Sequence, residues 1–147
     1  MLLTDKIIVV LGGSSGIGLA TAKAARAEGA LVTITGRSRE RLTKACADAG
    51  EGLQAVVLDA ADETGTRGFF QDLSHVDHLF ITAGTVISDS RLAQDSERMR
   101  PTMDTRFWGA LYAAKYAAPR MHGSGSITFM SGTAARRPLA GASVATG

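Results

Sequence analysis

Short runs of consecutive apolar residues recur along the chain, and polar stretches with helical spacing separate them. The runs are rich in Val, Ile and Leu and cover residues 7–11, 31–35, 54–58, 78–82 and 126–130. Continuous apolarity, in contrast to strict alternation, is typical of strands that are buried on both faces of a parallel sheet. The pattern therefore predicts five buried β-strands.

The stretches between these runs have the end signals of helices. Ser38 is a favourable N-cap, and Gly29 and Gly50 are suitable helix ends. The predicted helices cover residues 17–28, 38–49, 62–73 and a longer segment from Pro101 or Thr102 to Met121. Strand and helix thus alternate, which predicts right-handed crossovers and a doubly wound, Rossmann-like α/β fold with strand order 3-2-1-4-5.

A glycine-rich turn follows the first predicted strand. In this strand order, ligands bind at the carboxyl ends of the first and fourth strands, where the sheet reverses direction. Gly12 permits a sharp turn, Gly16 lets the backbone approach a pyrophosphate, and Gly18 allows close helix packing. Free N–H groups at the following helix favour a phosphate there. We predict a dinucleotide-binding turn, with a purely structural turn as the alternative, formed by Gly12, Ser14, Ser15, Gly16, Ile17 and Gly18.

Residues after the second and third strands indicate which nicotinamide cofactor is preferred. The second strand is followed by Arg37 and Ser38, where an NAD-dependent enzyme commonly has an acid. A guanidinium pairs well with the 2′-phosphate of NADP, so we predict a preference for NADPH over NADH. The alternative is that Arg37 and Arg39 form a solvated helix start. Asp59, beside Ala60, either accepts a hydrogen bond from the adenine or caps the following turn.

The spacing G-x-x-x-G-x-G, with Asp59 and the segment Ile81-Thr82-Ala83-Gly84, resembles the short-chain dehydrogenase/reductase (SDR) family. The resemblance implies hydride transfer between a carbonyl and an alcohol, and cofactor contacts at Ala83 and Gly84. It also implies a homo-oligomer formed through the 102–121 helix. Thr82 replaces a family asparagine, which should alter the local hydrogen bonds without removing them. The chain is identified as a divergent member of this family, corresponding to its N-terminal part.

The residues that the family uses for catalysis match poorly. Arg106 occupies the position of an asparagine that organises a water relay, and a guanidinium cannot accept hydrogen bonds. Gly132 stands where the family has its catalytic serine, which leaves Ser131 or Thr133 as a source of a hydroxyl. The family's Tyr-x-x-x-Lys pair is expected around Ala145, where there is no tyrosine.

These substitutions leave three functional hypotheses. The first is an NADP(H)-dependent oxidoreductase with a small-molecule substrate, and the second is a catalytically silent NADP(H)-binding sensor or scaffold. The third is a partner-binding module that uses the long helix and the fifth strand. On that helix, Tyr112 and Tyr116 are interpreted as packing residues, and Trp108 as a residue of the core or of a helix-pair interface.

Composition narrows the class of protein further. Lys+Arg 16 and Asp+Glu 14 give a net charge of +2 without basic blocks, which argues against nucleic-acid binding. The single Cys46 indicates a reducing compartment, and no apolar run is long enough to span a membrane, so we expect a cytoplasmic protein. The three histidines lack the spacing of metal ligands, so we expect no bound metal. Because a doubly wound dinucleotide fold typically has about six strands, residues 1–147 are predicted to be a single domain whose C-terminal strands and helices are missing.

Overall fold

A computed structural model describes residues 1–50, 52–84, 96–132 and 136–137. Five strands form one parallel sheet in the order β3-β2-β1-β4-β5, which confirms the predicted doubly wound topology. The strands are β1 Ile7–Leu11, β2 Leu31–Gly36, β3 Leu53–Val57, β4 His78–Ile81 and β5 Ser126–Phe129. Each strand end lies within one residue of its predicted position.

The helices are α1 Gly16–Ala27, α2 Arg39–Ala49, α3 Glu63–Gln71, α4 Ser96–Met103 and α5 Gly109–Ala117. A π-helical segment Asp104–Trp108 joins α4 to α5, and a 3-10 turn, Ala118–Arg120, follows α5. The prediction that the long helix begins at Pro101 or Thr102 was wrong, because α4 already includes Ser96 and Pro101 lies inside it. Proline removes one N–H donor, and this helix tolerates that loss in its second turn.

The hydrophobic core lies on both sides of the sheet because neighbouring residues of β1 point to opposite faces. Val9 and Leu11 pack on the side that carries Phe70 of α3 and Ala113 and Ala117 of α5. The other face is covered by α1 and α2 and contains Ile8, Val10, Val32, Ile34, Ala22, Ala25, Leu42 and Ala45. This two-sided burial explains the continuous apolar runs of β1 and β2. The prediction of five buried strands was wrong for β3 and β5, most of whose residues are exposed, because these two strands lie at the edges of the sheet.

Asp77 joins the amino ends of β1 and β4. Its carboxylate accepts hydrogen bonds from the backbone N–H of Ile7 at 2.8 Å and from Lys6 Nζ at 3.2 Å, and it lies 3.4 Å from His75 Nε2. The Ile7 N–H, helped by the Lys6 ammonium and opposed by partial burial, holds the pKa of Asp77 below its ordinary value. The charged form of this carboxylate is therefore the one that supports the fold.

Acidification should weaken this connection, since a carboxylate with a lowered folded-state pKa loses its stabilising effect as pH falls. The contribution is complete above the unfolded-state pKa, near pH 4, and disappears as pH falls through the folded-state pKa. We expect Asp77→Asn to lower the free energy of unfolding at neutral pH. The variant should also lose less of this free energy than the native chain as the pH falls below about 4. Urea titrations at several pH values measure this. Asp72→Asn, at an exposed position, is the control and should keep the native dependence of the unfolding free energy on acid pH. The same pH dependence in both variants would contradict the role of Asp77.

Candidate functional site

The glycine turn is packed against the end of β4. Gly12 has φ +93°, and a Cβ there would stand 2.6 Å from the backbone N of Ala83. A Cβ on Gly18 would overlap the carbonyl oxygen of Gly12 and stand 2.7 Å from Thr82 Oγ1. Gly16 has φ +54°, and a Cβ there would meet nothing within 4 Å. Gly12 and Gly18 are thus required by close packing, whereas Gly16 is required by backbone conformation.

Thr82 holds this turn to the sheet. Its Oγ1 lies 3.1 Å from the carbonyl oxygens of both Leu11 and Gly12, and its one hydroxyl proton is shared between them. The backbone N–H groups of Thr82 and Ala83 donate to Leu11 O at 2.8 Å. The hydroxyl therefore supplies the hydrogen bonds at this position, as expected when a threonine replaces an asparagine.

An open cleft of about 520 Å³ lies along the carboxyl ends of the strands. This volume is in the usual range for ligand sites, about 300–1,000 Å³. All the predicted cofactor residues except Gly16 line it, namely Gly12, Ser14, Ser15, Ile17, Gly18, Arg37, Ser38, Asp59, Ala60, Ala83 and Gly84. The sequence did not single out several other lining residues, which include Thr35, Gly36, Arg41, Thr105 and Met130.

Two arginines at the start of α2 give one end of the cleft positive charge. Arg37 and Arg41 are both exposed and line the cleft, whereas Arg39 does not line it. Ser38 Oγ accepts a hydrogen bond from the backbone N–H of Arg41 at 3.2 Å, which confirms Ser38 as the N-cap of α2. Neither Arg37 nor Arg41 forms an ion pair within the part of the chain that the structure describes.

Asp59 contributes the one carboxylate among the described residues that line the cleft. Its Oδ1 accepts a hydrogen bond from the backbone N–H of Ala61 at 3.0 Å. The turn-capping alternative for Asp59 therefore describes its contact in the structure, and contact with an adenine stays a prediction.

The β4–β5 end of the cleft differs from the family's catalytic pattern, as the sequence indicates. Arg106 lies in the π-helical segment with its side chain against Gly84, where a Cβ would stand 3.0 Å from Arg106 Cγ. Ser131 is exposed and does not line the cleft, whereas its neighbour Met130 does. Thr133 and the residues around Ala145 lie outside the described residues.

Tyr116 and Lys115 share a carboxylate that links α5 to α3. Tyr116 Oη donates to Glu63 Oε1 at 2.7 Å, and Lys115 Nζ lies 3.0 Å from the same oxygen. The hydrogen bonds from Tyr116 and then Lys115 lower the pKa of Glu63, and the bond to Glu63 raises the pKa of Lys115. Tyr116 also packs against the core. The packing interpretation is therefore confirmed, but it missed this polar link, which lies away from the cleft.

The described part of the chain has neither a metal-binding cluster nor a helix suited to span a membrane. It contains no group of three or more His, Cys, Asp or Glu side chains placed to hold a metal ion. None of its helices combines the length and the apolarity that crossing a membrane requires.

The sheet order and the turn after β1 define a Rossmann-like α/β domain. The chain belongs to the short chain dehydrogenase family, whose sequence profile matches residues 6–145.

Individual relatives agree with this assignment. The chain is 33% identical over 143 residues to 11-beta-hydroxysteroid dehydrogenase 1A of Arabidopsis thaliana, covering 90% of this chain and 41% of that protein. It is 30% identical over 136 residues to 3-dehydrosphinganine reductase TSC10B of the same plant, covering 86% of this chain and 41% of that protein. The chain thus spans less than half the length of these two relatives.

Solved structures show the same fold. A short chain dehydrogenase/reductase family protein superposes with a TM-score of 0.93 at 35% identity, covering 99% of this chain and 63% of the other. A short-chain type dehydrogenase/reductase from Mycobacterium ulcerans gives a TM-score of 0.92 at 27% identity, covering 99% of this chain and 58% of the other.

Proposed function

We propose that the chain binds NADP(H) in the cleft and acts as an oxidoreductase on a carbonyl/alcohol pair. The observation that carries the proposal is the presence of Arg37 beside the glycine turn, in the cleft lining and without an acidic partner among the described residues. A guanidinium in this state is suited to a phosphate, because charge-assisted hydrogen bonds are stronger than neutral ones.

The residues of the cleft fit the parts of a dinucleotide. Backbone N–H groups of the turn at 14–18 suit the pyrophosphate, since the turn opens directly into α1, whereas those of Gly12 and Gly13 donate to Thr35 O. Arg37 and Ser38 would hold the 2′-phosphate, with Asp59 and Ala60 beside the adenine. Across the cleft, Ala83 and Gly84 would border the nicotinamide, as the family resemblance implies.

A bound nicotinamide would supply or take up the hydride. The relatives named as a hydroxysteroid dehydrogenase and a dehydrosphinganine reductase support a carbonyl/alcohol pair as the small-molecule substrate. Arg106 can donate but not accept hydrogen bonds, so it would orient an oxygen and could not relay a proton by accepting one. Ser131 remains the candidate for a substrate-binding hydroxyl next to the cleft residue Met130.

Titration of the chain with NADPH and with NADH tests the cofactor proposal. We expect NADPH to bind at least about tenfold more tightly, the change that about 1.4 kcal/mol of phosphate recognition produces. Calorimetry gives both dissociation constants directly. Equal binding, or no binding by the folded chain, would overturn the preference for NADP.

A catalytically silent NADP(H)-binding sensor or scaffold is the second candidate. The substitution of catalytic positions by Arg106 and Gly132 favours it. A panel of ketones and aldehydes, followed through the absorbance of NADPH, separates the two candidates. Robust turnover supports the enzyme, and tight NADPH binding without turnover supports the silent protein.

We also propose that the chain is a single NAD(P)-binding domain that works in the cytoplasm as a homo-oligomer. The apolar face of the π-helical segment and α5 supports the oligomer, because Phe107, Trp108 and Leu111 are 53%, 44% and 46% exposed. Trp108 packs edge-on to Phe107, with ring centroids 5.1 Å apart, and stacks on Tyr112, with ring centroids 6.1 Å apart. Trp108 is thus not part of the core, which leaves the helix-pair interface that the sequence offered as the alternative.

A charge placed in this face should disrupt the oligomer. We expect Trp108→Glu to shift the chain to monomers, because burying an unpaired carboxylate in an apolar contact is strongly unfavourable. Sedimentation velocity measures the change in mass. Leu2→Glu, at a position before β1 that is 89% exposed, is the control. An unchanged mass for the Trp108 variant would exclude this face as the interface.

A further inference from the structure

Arg106 is held at the edge of the cleft by the backbone around it. It is the central residue of the π-helical segment Asp104–Trp108, and Thr105, the residue before it, lines the cleft. Thr105 Oγ1 donates to the carbonyl oxygen of Pro101 at 2.9 Å, which helps to hold this wide turn. π-helical turns are frequent at functional sites.

The stem of Arg106 lies against the glycine at the end of the fourth strand. A Cβ on Gly84 would stand 3.0 Å from Arg106 Cγ and 3.2 Å from Arg106 Nε. Gly84 lines the cleft and Arg106 itself does not, so this contact places the stem and Nε of Arg106 directly beside the lining at the cleft's β4–β5 end. A larger side chain at position 84 would displace the side chain of Arg106.

This end of the cleft carries no negative charge in the part of the chain that the structure describes. Its lining residues Gly84, Thr105 and Met130 are uncharged. The one lining acid, Asp59, follows β3, which is the strand at the opposite edge of the sheet. Arg106 forms no ion pair with the described residues. Within the described residues, no carboxylate competes with an anion for this guanidinium.

We propose that Arg106 binds a carboxylate of the substrate, so that the chain acts on an oxo acid or hydroxy acid and not on a neutral ketone. The inference rests on the proposed function, because it takes the β4–β5 end of the cleft as the substrate end. A guanidinium presents parallel N–H donors that match a carboxylate, and it has no acceptor for a proton relay. The change from amide to guanidinium at this position exchanges relay chemistry for recognition of charge.

Arg136 and Arg137 are consistent with an anionic substrate. Both are exposed, and they follow β5 along the chain, after it leaves the sheet at the carboxyl edge that forms the cleft. Acidic groups at the opposite edge, such as Asp77, lie at the amino ends of the strands and cannot repel a ligand in the cleft by direct contact.

Matched acid and ester probes test the proposal. We would titrate the chain, with and without saturating NADPH, with 4-oxopentanoate and with its methyl ester, and follow binding by ligand-observed NMR. The acid should bind about tenfold more tightly than the ester, as expected for a hydrogen bond between charged groups. Added salt should weaken binding of the acid and leave the ester unchanged.

Three variants assign that preference to one side chain. Arg106→Asn should remove the preference, and Arg106→Lys should keep a part of it, since an ammonium retains the charge but not the paired donors. Arg98→Gln, an exposed arginine of α4 away from the cleft, should leave it intact. Equal binding of acid and ester, no binding of the acid, or a preference that persists in Arg106→Asn would overturn the inference.

NADPH binding to the same samples keeps this result separate from the cofactor proposal. A preference for the acid that depends on Arg106 supports the inference even where NADPH does not bind, and in that case the cofactor proposal alone fails. If NADPH binds but 4-oxopentanoate binds no more tightly than its methyl ester, the inference about Arg106 is wrong and the cofactor proposal is unaffected.

Discussion

Replacing Gly18 with alanine is expected to destabilise the folded chain by about 1–3 kcal/mol, the usual cost of adding atoms to a filled space. The new Cβ would overlap the carbonyl oxygen of Gly12 and crowd Thr82 Oγ1, which stands 2.7 Å from its position. Neither neighbour can give way cheaply, because one is backbone and the other holds the turn through its bonds to Leu11 and Gly12. The same displacement should reduce NADPH binding below detection.

Gly68→Ala provides the matched control for this prediction. Gly68 lies inside α3, and a Cβ there would meet nothing within 4 Å. Alanine in an open helical position should stabilise the chain by about 0.4–1 kcal/mol, mainly by restricting the unfolded state. Urea denaturation compares the two variants directly. A Gly18→Ala midpoint equal to that of the native chain would show that the turn is not packed as described.

The sheet could be predicted from sequence because the physical cause is repetitive. A strand buried on both faces is apolar at most positions, and β1 shows this with Ile8 and Val10 on one face and Val9 and Leu11 on the other. Strand–helix alternation then leaves few possible topologies, since parallel crossovers have one hand. Most of the fold was accessible for this reason.

The start of the long helix could not be predicted in the same way. Proline is a strong sequence signal for a helix start, whereas Pro101 lies inside α4, in its second turn. The π-helical segment is a similar case, because Thr105 Oγ1 takes the carbonyl of Pro101 as its partner. Side-chain bonds of this kind compete with regular helix geometry without a distinct sequence signature.

The candidate site was partly predictable for a related reason. Glycine is typical of positions where two backbone segments approach closely, so the packing roles of Gly12 and Gly18 could be predicted from the sequence. Arg41 was missed because the sequence offered three arginines around the start of α2, and only the direction of the helix separates Arg41 from Arg39. Counting three residues from the N-cap Ser38 is the signal that could have found it, since Arg41 donates its N–H to that cap.

Exchanging Arg37 for aspartate should reverse the cofactor preference. NADPH should lose about tenfold to a hundredfold in affinity, the equivalent of about 1.5–3 kcal/mol for hydrogen bonds to a charged group. A carboxylate at this position would repel the 2′-phosphate and could instead accept from the free 2′-hydroxyl of NADH. NADH binding should therefore improve while NADPH binding falls, and calorimetric titration with each cofactor measures both changes.

Arg39→Asp separates this effect from a general change of charge. Arg39 is two residues away, exposed and outside the cleft lining, and the substitution changes the net charge by the same amount. If long-range attraction caused the NADPH preference, both variants would weaken NADPH alike, and more so at low salt. If direct contact causes it, the loss appears in the Arg37 variant and persists at salt concentrations that screen exposed charges. Equal losses in the two variants would return Arg37 to the alternative of a solvated helix start.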